Sequence, residues 1–359
     1  MTDTLKALSL FAVLGAGWAL ALRHIGPLGA PPQPVPQSTP ALLVPATSPV
    51  ADYYVPSSPI AKPQVALSPG AALYVPPSPK GTPVPAATPP PGQAAPAAVA
   101  SASPARVEFR SFASAALKRG MPYLIYLPAG YDTSPDRSYP VLYLLHGIGG
   151  GFGGQNGSNT EWYGYGITGA ASKLIARGDI PPLLIVMPQG DQSFWMDHAD
   201  GPLWGQYTAV DVVQEIDSQF RTIGNSAHRA IGGLSMGGFG ALELAMLYPQ
   251  TFGTAGGHSS SFYTRDAAPL FGDEAFFDAH DPIHLLHDHP EVAGKLHLWL
   301  DVGSEDPLWK NANEALHAQL QLDGVQHEWN EWPGGHDGLY WNAHVDDYMR
   351  FYGSALAGQ

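Results

Sequence analysis

The chain has 359 residues, room for two average domains or for one large α/β domain with a tail. Its 31 acidic and 17 basic side chains leave a net charge of −14, which argues against nucleic acid or an anionic membrane surface as a partner. With no cysteine, a disulfide framework and thiolate metal sites are excluded.

A shift in composition decides between the two layouts. Residues 1–30 open with Lys6 and an apolar run over 7–22, closed by Arg23 and His24. This pattern fits a secretory signal peptide or a short membrane anchor. The best small-residue cleavage site ends at Ala30, and Pro31 after it should hinder cleavage. The expectation is an uncleaved anchor, with membrane tethering through residues 7–22 and an extracytoplasmic location. Residues 31–104 are rich in Pro, Ala, Ser and Val, with Asp52, Lys62 and Lys80 as their charges. Such a linker cannot bury enough apolar surface to offset its ordering entropy, so a disordered, semi-rigid spacer is expected. Tyr54, Val55 and Pro56 recur as Tyr74, Val75 and Pro76, a weak repeat within that spacer.

Residues 105–359 read as a single domain. Strands are expected over 107–112 and 121–127, as an antiparallel pair, then a fully apolar strand over 139–146. A helix over 168–177 and a strand over 182–188 follow, then a helix over 209–221 with Val210, Val213, Ile216 and Phe220 on one face. The chain continues with a strand over 229–234, a helix from Gly240, a short strand from Phe252, a strand over 296–302, a helix over 311–322 and a strand over 326–332. It closes on an amphipathic helix over 341–356. Strands alternating with helices imply an α/β fold with a mostly parallel sheet covered on both faces. In such sheets, sites lie at the carboxyl ends of the strands.

The chemistry starts at Gly233-x-Ser235-x-Gly237, between an expected strand and an expected helix. This is the pattern of a nucleophile elbow, where glycines let a sharp turn bring backbones together. A serine hydroxyl is a poor nucleophile unless a base takes its proton, and the base needs a third group to orient it. The elbow therefore demands an acid after a later strand and then a histidine near the C-terminus. Asp306 and His336 stand in that order. Asp301 and Glu305 are rivals for the acid: Asp301 lies at the strand edge, where it would brace a loop, and Glu305 would point away. The oxyanion hole is expected from the backbone N–H groups of Met236 and Ile148, with Gly149 close behind.

Three other patterns weigh less. Gly149-x-Gly151-x-x-Gly154 has the spacing of a dinucleotide loop but lacks the helix and the later acidic residue. His280, His284, His287 and His289 have partly metal-like spacing, yet Pro282 and Pro290 interrupt them, and the segment reads as a surface or cap loop. Trp162, Tyr163, Trp195 and Trp204 could line a substrate pocket or simply cover the sheet.

His146-Gly147 with its glycines, Gly233-x-Ser235-Met236-Gly237, Asp301-x-Gly303-x-x-Asp306 and His336-Asp337 together resemble the esterase D-like branch of the α/β-hydrolases. That branch includes S-formylglutathione hydrolases, feruloyl esterases, enterochelin esterases and the antigen 85 mycolyltransferases. The resemblance covers residues 105–359. It implies an α/β-hydrolase fold, with Ser235 as nucleophile, Asp306 as acid, His336 as base, and Ile148 and Met236 at the oxyanion positions. It implies a serine esterase that takes a small-molecule, lipid or glycan ester and needs no cofactor. An acyltransferase of the antigen 85 type is the alternative within acyl chemistry. A non-catalytic surface module on the same fold is the alternative of another class.

Overall fold

The computed structural model describes residues 103–148, 158–199 and 201–358. The expectations for residues 1–30, for all but the last two residues of 31–104, and for the loop from Gly149 to Gly154 lie outside the described residues.

Eight strands form one sheet: β1 (Arg106–Ser114), β2 (Arg119–Leu127), β3 (Val141–Leu145), β4 (Leu184–Pro188), β5 (Arg229–Leu234), β6 (Thr254–His258), β7 (His297–Gly303) and β8 (Glu328–Trp332). Their spatial order is β1-β2-β4-β3-β5-β6-β7-β8. The β1–β2 hairpin is antiparallel, β2 is antiparallel to β4, and every pairing from β4 to β8 is parallel. This is the expected α/β-hydrolase architecture, a mostly parallel sheet with helices on both faces.

The apolar run of β3 shows why both faces are covered. Val141, Tyr143 and Leu145 enter one core, while Leu142 and Leu144 enter the other. Successive side chains of a strand point to opposite faces, so a strand buried on both sides has to be apolar throughout. Helices α1 (Glu161–Gly164), α2 (Ile167–Arg177) and α9 (Gly338–Leu356) cover the Leu142 face. The opposite face carries α3 (residues 204–219), α4 (Met236–Leu247) and α8 (Lys310–Leu322).

Three departures from expectation have local causes. Helix α3 starts a turn before residue 209, where Trp204 and Tyr207 pack edge to face at 5.8 Å, and it contains a π turn over Tyr207–Val212. It stops at Gln219 because Phe220 is extended. Helix α4 begins at Met236, ahead of the expected Gly240, because the elbow forces its glycine-rich first turn to be helical despite low propensity. The histidine-rich segment is not a loop. It forms α5 (Glu274–Asp278), α6 (Pro282–Asp288) and α7 (Pro290–Ala293), and its prolines start helices rather than breaking them. Proline suits the first helical position, where the missing N–H has no partner to lose.

Candidate active site

Strand β5 ends at Leu234, and the chain turns at Ser235 with φ 52° and ψ −117°. A positive φ is costly for a residue with a Cβ and persists only where the surroundings impose it. Here they do. A Cβ on Gly233 would fall 2.2 Å from the carbonyl of Gly237, and one on Gly237 would fall 2.3 Å from the carbonyl oxygen of Leu145. Backbone stands against backbone on both sides of the serine, so neither glycine can carry a side chain. The Ser235 N–H donates to the His258 carbonyl at 3.0 Å, tying the turn to β6.

The elbow, the loop after β7 and the loop after β8 meet at one end of the sheet. The Ser235 hydroxyl lies 2.8 Å from His336 Nε2, and His336 Nδ1 lies 2.8 Å from Asp306 Oδ2. A carboxylate only accepts, so Nδ1 carries the proton and Nε2 is left to accept from the hydroxyl. The other Asp306 oxygen accepts from the Leu308 and Trp309 amides at 2.8 and 3.0 Å. Burial works against ionising Asp306, but the His336 bond and charge with these amides outweigh it and hold the carboxyl below its ordinary range. Ser235, His336 and Asp306 thus form one continuous hydrogen-bonded chain.

The rivals for the acid position go elsewhere. Glu305 is exposed. Asp301 is fully buried within β7 and braces an aromatic cluster rather than a loop. It accepts from His258 Nδ1 at 2.6 Å, Trp299 Nε1 at 2.7 Å, Tyr340 at 2.8 Å and Tyr348 at 3.2 Å. The Tyr352 hydroxyl completes the cluster on His258 Nε2 at 2.9 Å.

Beside the elbow, the polar groups of residues 145–147 are already engaged. Trp162 Nε1 donates to the Leu145 carbonyl at 2.9 Å, and Trp195 Nε1 to the His146 carbonyl at 3.1 Å. The Gly147 amide donates to Glu161 Oε2 at 2.7 Å, and its carbonyl accepts from His146 Nδ1 at 2.8 Å. The Gly190 amide caps His146 Nε2 at 2.9 Å, and burial lowers that imidazole to about 4, so it is a neutral clip. Ile148, the residue expected to supply one oxyanion amide, follows Gly147 directly and is the last described residue before Ser158. Met236, as the first residue of α4, has an N–H with no acceptor inside its own helix.

Three of the four aromatic residues singled out earlier are core. Trp162, Trp195 and Trp204 are buried, whereas Tyr163 is exposed at 47%. The histidines of the α5–α7 segment face separate carboxylates: His280 meets Glu243 at 2.7 Å, His284 meets Asp281 at 2.8 Å and His287 meets Asp323 at 2.9 Å. Among the described residues, no group of three or more such side chains converges as a metal site would require.

A match to the Esterase family spans residues 114–352. The chain belongs to that family. Among its relatives is an esterase of Mycobacterium tuberculosis, 28% identical over an alignment of 253 positions that covers 59% of this chain and 51% of the mycobacterial protein. The chain thus matches about half the length of that relative. A solved ferulic acid esterase superposes with a TM-score of 0.63 at 22% identity, covering 70% of this chain and 99% of the other. The S-formylglutathione hydrolase of Staphylococcus aureus gives 0.56 at 20% identity, covering 70% and 97%. At such identities, these superpositions establish the α/β-hydrolase fold of the esterase-family domain.

Glu161 was not singled out from the sequence. An acid followed by Trp162 and Tyr163 has no distinctive spacing, and its burial against the elbow depends on contacts between segments far apart in the chain.

Proposed function

We propose that this chain is a serine carboxylic-ester hydrolase in which Ser235 is the nucleophile, His336 the general base and Asp306 the group that orients and charge-balances the imidazole. The observation that carries the reading is the continuous chain of hydrogen bonds from Ser235 through His336 to Asp306. Ser235 Oγ attacks the acyl carbon while its proton passes to His336 Nε2. The tetrahedral oxyanion is held by the Met236 and Ile148 amides, and collapse expels the alcohol, which takes the proton back from Nε2. Water then resolves the acyl-enzyme by the same route, and no cofactor is required. Preorganised amides of this kind contribute a few kcal/mol each.

Small-molecule esters with an apolar or aromatic part suit the surroundings. Trp309, whose amide binds Asp306, packs on Tyr263 at 4.7 Å, and both rings are partly exposed, while the buried Trp341 backs His336 edge-on at 5.0 Å. Residues 7–22 and the Pro-rich segment after them support an extracytoplasmic enzyme tethered to a membrane. The test is hydrolysis of p-nitrophenyl esters from acetate to palmitate, and of methyl ferulate, by the chain and its Ser235→Ala form. We expect turnover that falls by roughly 10⁴-fold or more in the variant while the fold persists. Undiminished hydrolysis by Ser235→Ala would remove the assignment. Product analysis with an added glycerol or trehalose acceptor separates hydrolysis from acyl transfer.

A further inference from the structure

We infer that Glu161 is a positioning residue for the oxyanion hole: its carboxylate fixes the Gly147 amide and thereby aims the neighbouring Ile148 amide at the substrate's carbonyl oxygen. This inference rests on the serine-esterase reading above and extends it to a residue outside the Ser235–His336–Asp306 chain.

The geometry of the loop supports it. Glu161 opens α1 and is 2% exposed, so its carboxylate is buried where charge is costly. Both oxygens are engaged: Oε2 accepts the Gly147 amide at 2.7 Å, and Oε1 accepts the Tyr165 hydroxyl at 3.0 Å. A Cβ on Gly147 would lie 3.5 Å from Glu161 Oε2 and 3.6 Å from the Cβ of Ser235. Gly147 therefore stands between the Glu161 carboxylate and the elbow. The next residue, Trp162, binds the Leu145 carbonyl, so two consecutive residues of α1 grip the backbone on either side of His146. From Glu161 the packing runs on to the base. Tyr165 stacks on Trp341 at 6.0 Å, and Trp341 meets His336 at 5.0 Å.

Gly147 is a poor residue to leave untied. It lacks the side chain that restricts backbone rotation, and its rotation would swing the following peptide, which carries the Ile148 N–H. Donors for an oxyanion work because they are held in place before charge develops, and a shift of about 1 Å can cost about 100-fold in rate. Glu161 holds the N–H of the peptide before Gly147, and His146 Nδ1 holds the carbonyl of the peptide after it, the one that carries the Ile148 N–H, so the two bonds together pin the glycine on both sides. Trp195 shares the hold on the first of these peptides through the His146 carbonyl, and among the described residues Glu161 is the acceptor of its N–H.

The experiment compares Glu161→Ala and Glu161→Gln with the unaltered chain, each corrected for active sites by fluorophosphonate titration of Ser235. Three readouts are taken: kcat and KM on a p-nitrophenyl ester, inhibition by an alkyl boronic acid that forms a tetrahedral adduct on Ser235, and the thermal midpoint. Glu161→Ala should lower kcat by about 10- to 100-fold with KM changed much less, and should weaken the boronic acid by a similar factor. Glu161→Gln keeps an acceptor for the Gly147 amide and should recover most of both. A Glu161→Ala protein whose titrated sites keep full kcat and full boronic-acid affinity would overturn the inference, whatever happens to the thermal midpoint. So would a Gln variant as impaired as the Ala variant. Failure of the serine-esterase reading looks different, because the unaltered chain would then show no Ser235-dependent turnover at all.

Discussion

Asp301 and Asp306 are the same side chain at the same strand end, and their surroundings assign them different work. Asp306 is reached by an imidazole and two backbone amides, whereas Asp301 is sealed among His258, Trp299, Tyr340 and Tyr348. Asp306→Asn should therefore lower kcat by about 10⁴-fold with little loss of stability, because an amide imposes the wrong tautomer on His336. Asp301→Ala should cost about 3 kcal/mol or more, since it strands several buried donors, and this would appear as a lower denaturant midpoint. Equal kinetic losses in the two variants would contradict this division.

Another buried carboxyl makes stability depend on pH. Burial raises Glu243 on α4 to about 7, against the opposing hydrogen bond and charge of His280. Burial opposes protonation of His280 as well, but the bond and charge of Glu243, with Asp197 nearby, raise it. Asp281 is the other acid facing Glu243. Both shifts mean that the folded chain holds protons that the unfolded chain releases first. The Glu243 contribution is thus complete below the unfolded carboxyl value of about 4.5 and is lost as pH rises towards 7, whereas the His280 contribution is complete below the unfolded imidazole value of about 6.5 and is lost above it. Glu243→Gln should flatten that decline, as read from urea midpoints at pH 5 and pH 7; an unchanged slope would count against it.

At the scale of elements, the elbow is held by close approaches that only glycine allows. The Tyr352 hydroxyl of α9 occupies the space over β5 and β6 where a Cβ on Gly232 or Gly256 would fall 1.8 or 2.0 Å away. That hydroxyl also closes the His258–Asp301 cluster, so α9 is seated on the strand that carries Ser235. Gly232→Ala should destabilise the domain by about 3 kcal/mol or more, because neither the strand nor the buried ring can yield cheaply. Denaturation midpoints test this, and a near-neutral result would mean that α9 can shift. The same scale explains what the sequence reading missed. The prolines of the α5–α7 segment looked like breakers, because their effect depends on whether they fall in a first turn or an interior. Helix α4 looked shorter than it is, because propensity disfavours a glycine-rich first turn that the elbow imposes.

For the whole molecule, the family match and the sheet fall within residues 105–359. Residues 105–359 alone should fold and hydrolyse p-nitrophenyl esters at the rate of the 359-residue chain, which parallel kinetics would check. A fragment that folds but has lost its turnover would show that the preceding segment takes part in catalysis.

Some of this was determined by sequence alone because it depends on neighbours in the chain. The apolar strands, their alternation with helices, the glycines around Ser235 and the order of a serine, an acid after a later strand and a C-terminal histidine are of this kind. Backbone sterics at the elbow and the period of each strand act over a few residues, so they leave a local trace. Tertiary structure decided which of two aspartates meets His336, what holds the Gly147 amide, and that Trp162, Trp195 and Trp204 are core. A carboxylate's partners and an aromatic ring's burial are settled by segments tens or hundreds of residues away, and no local pattern of residue types records them.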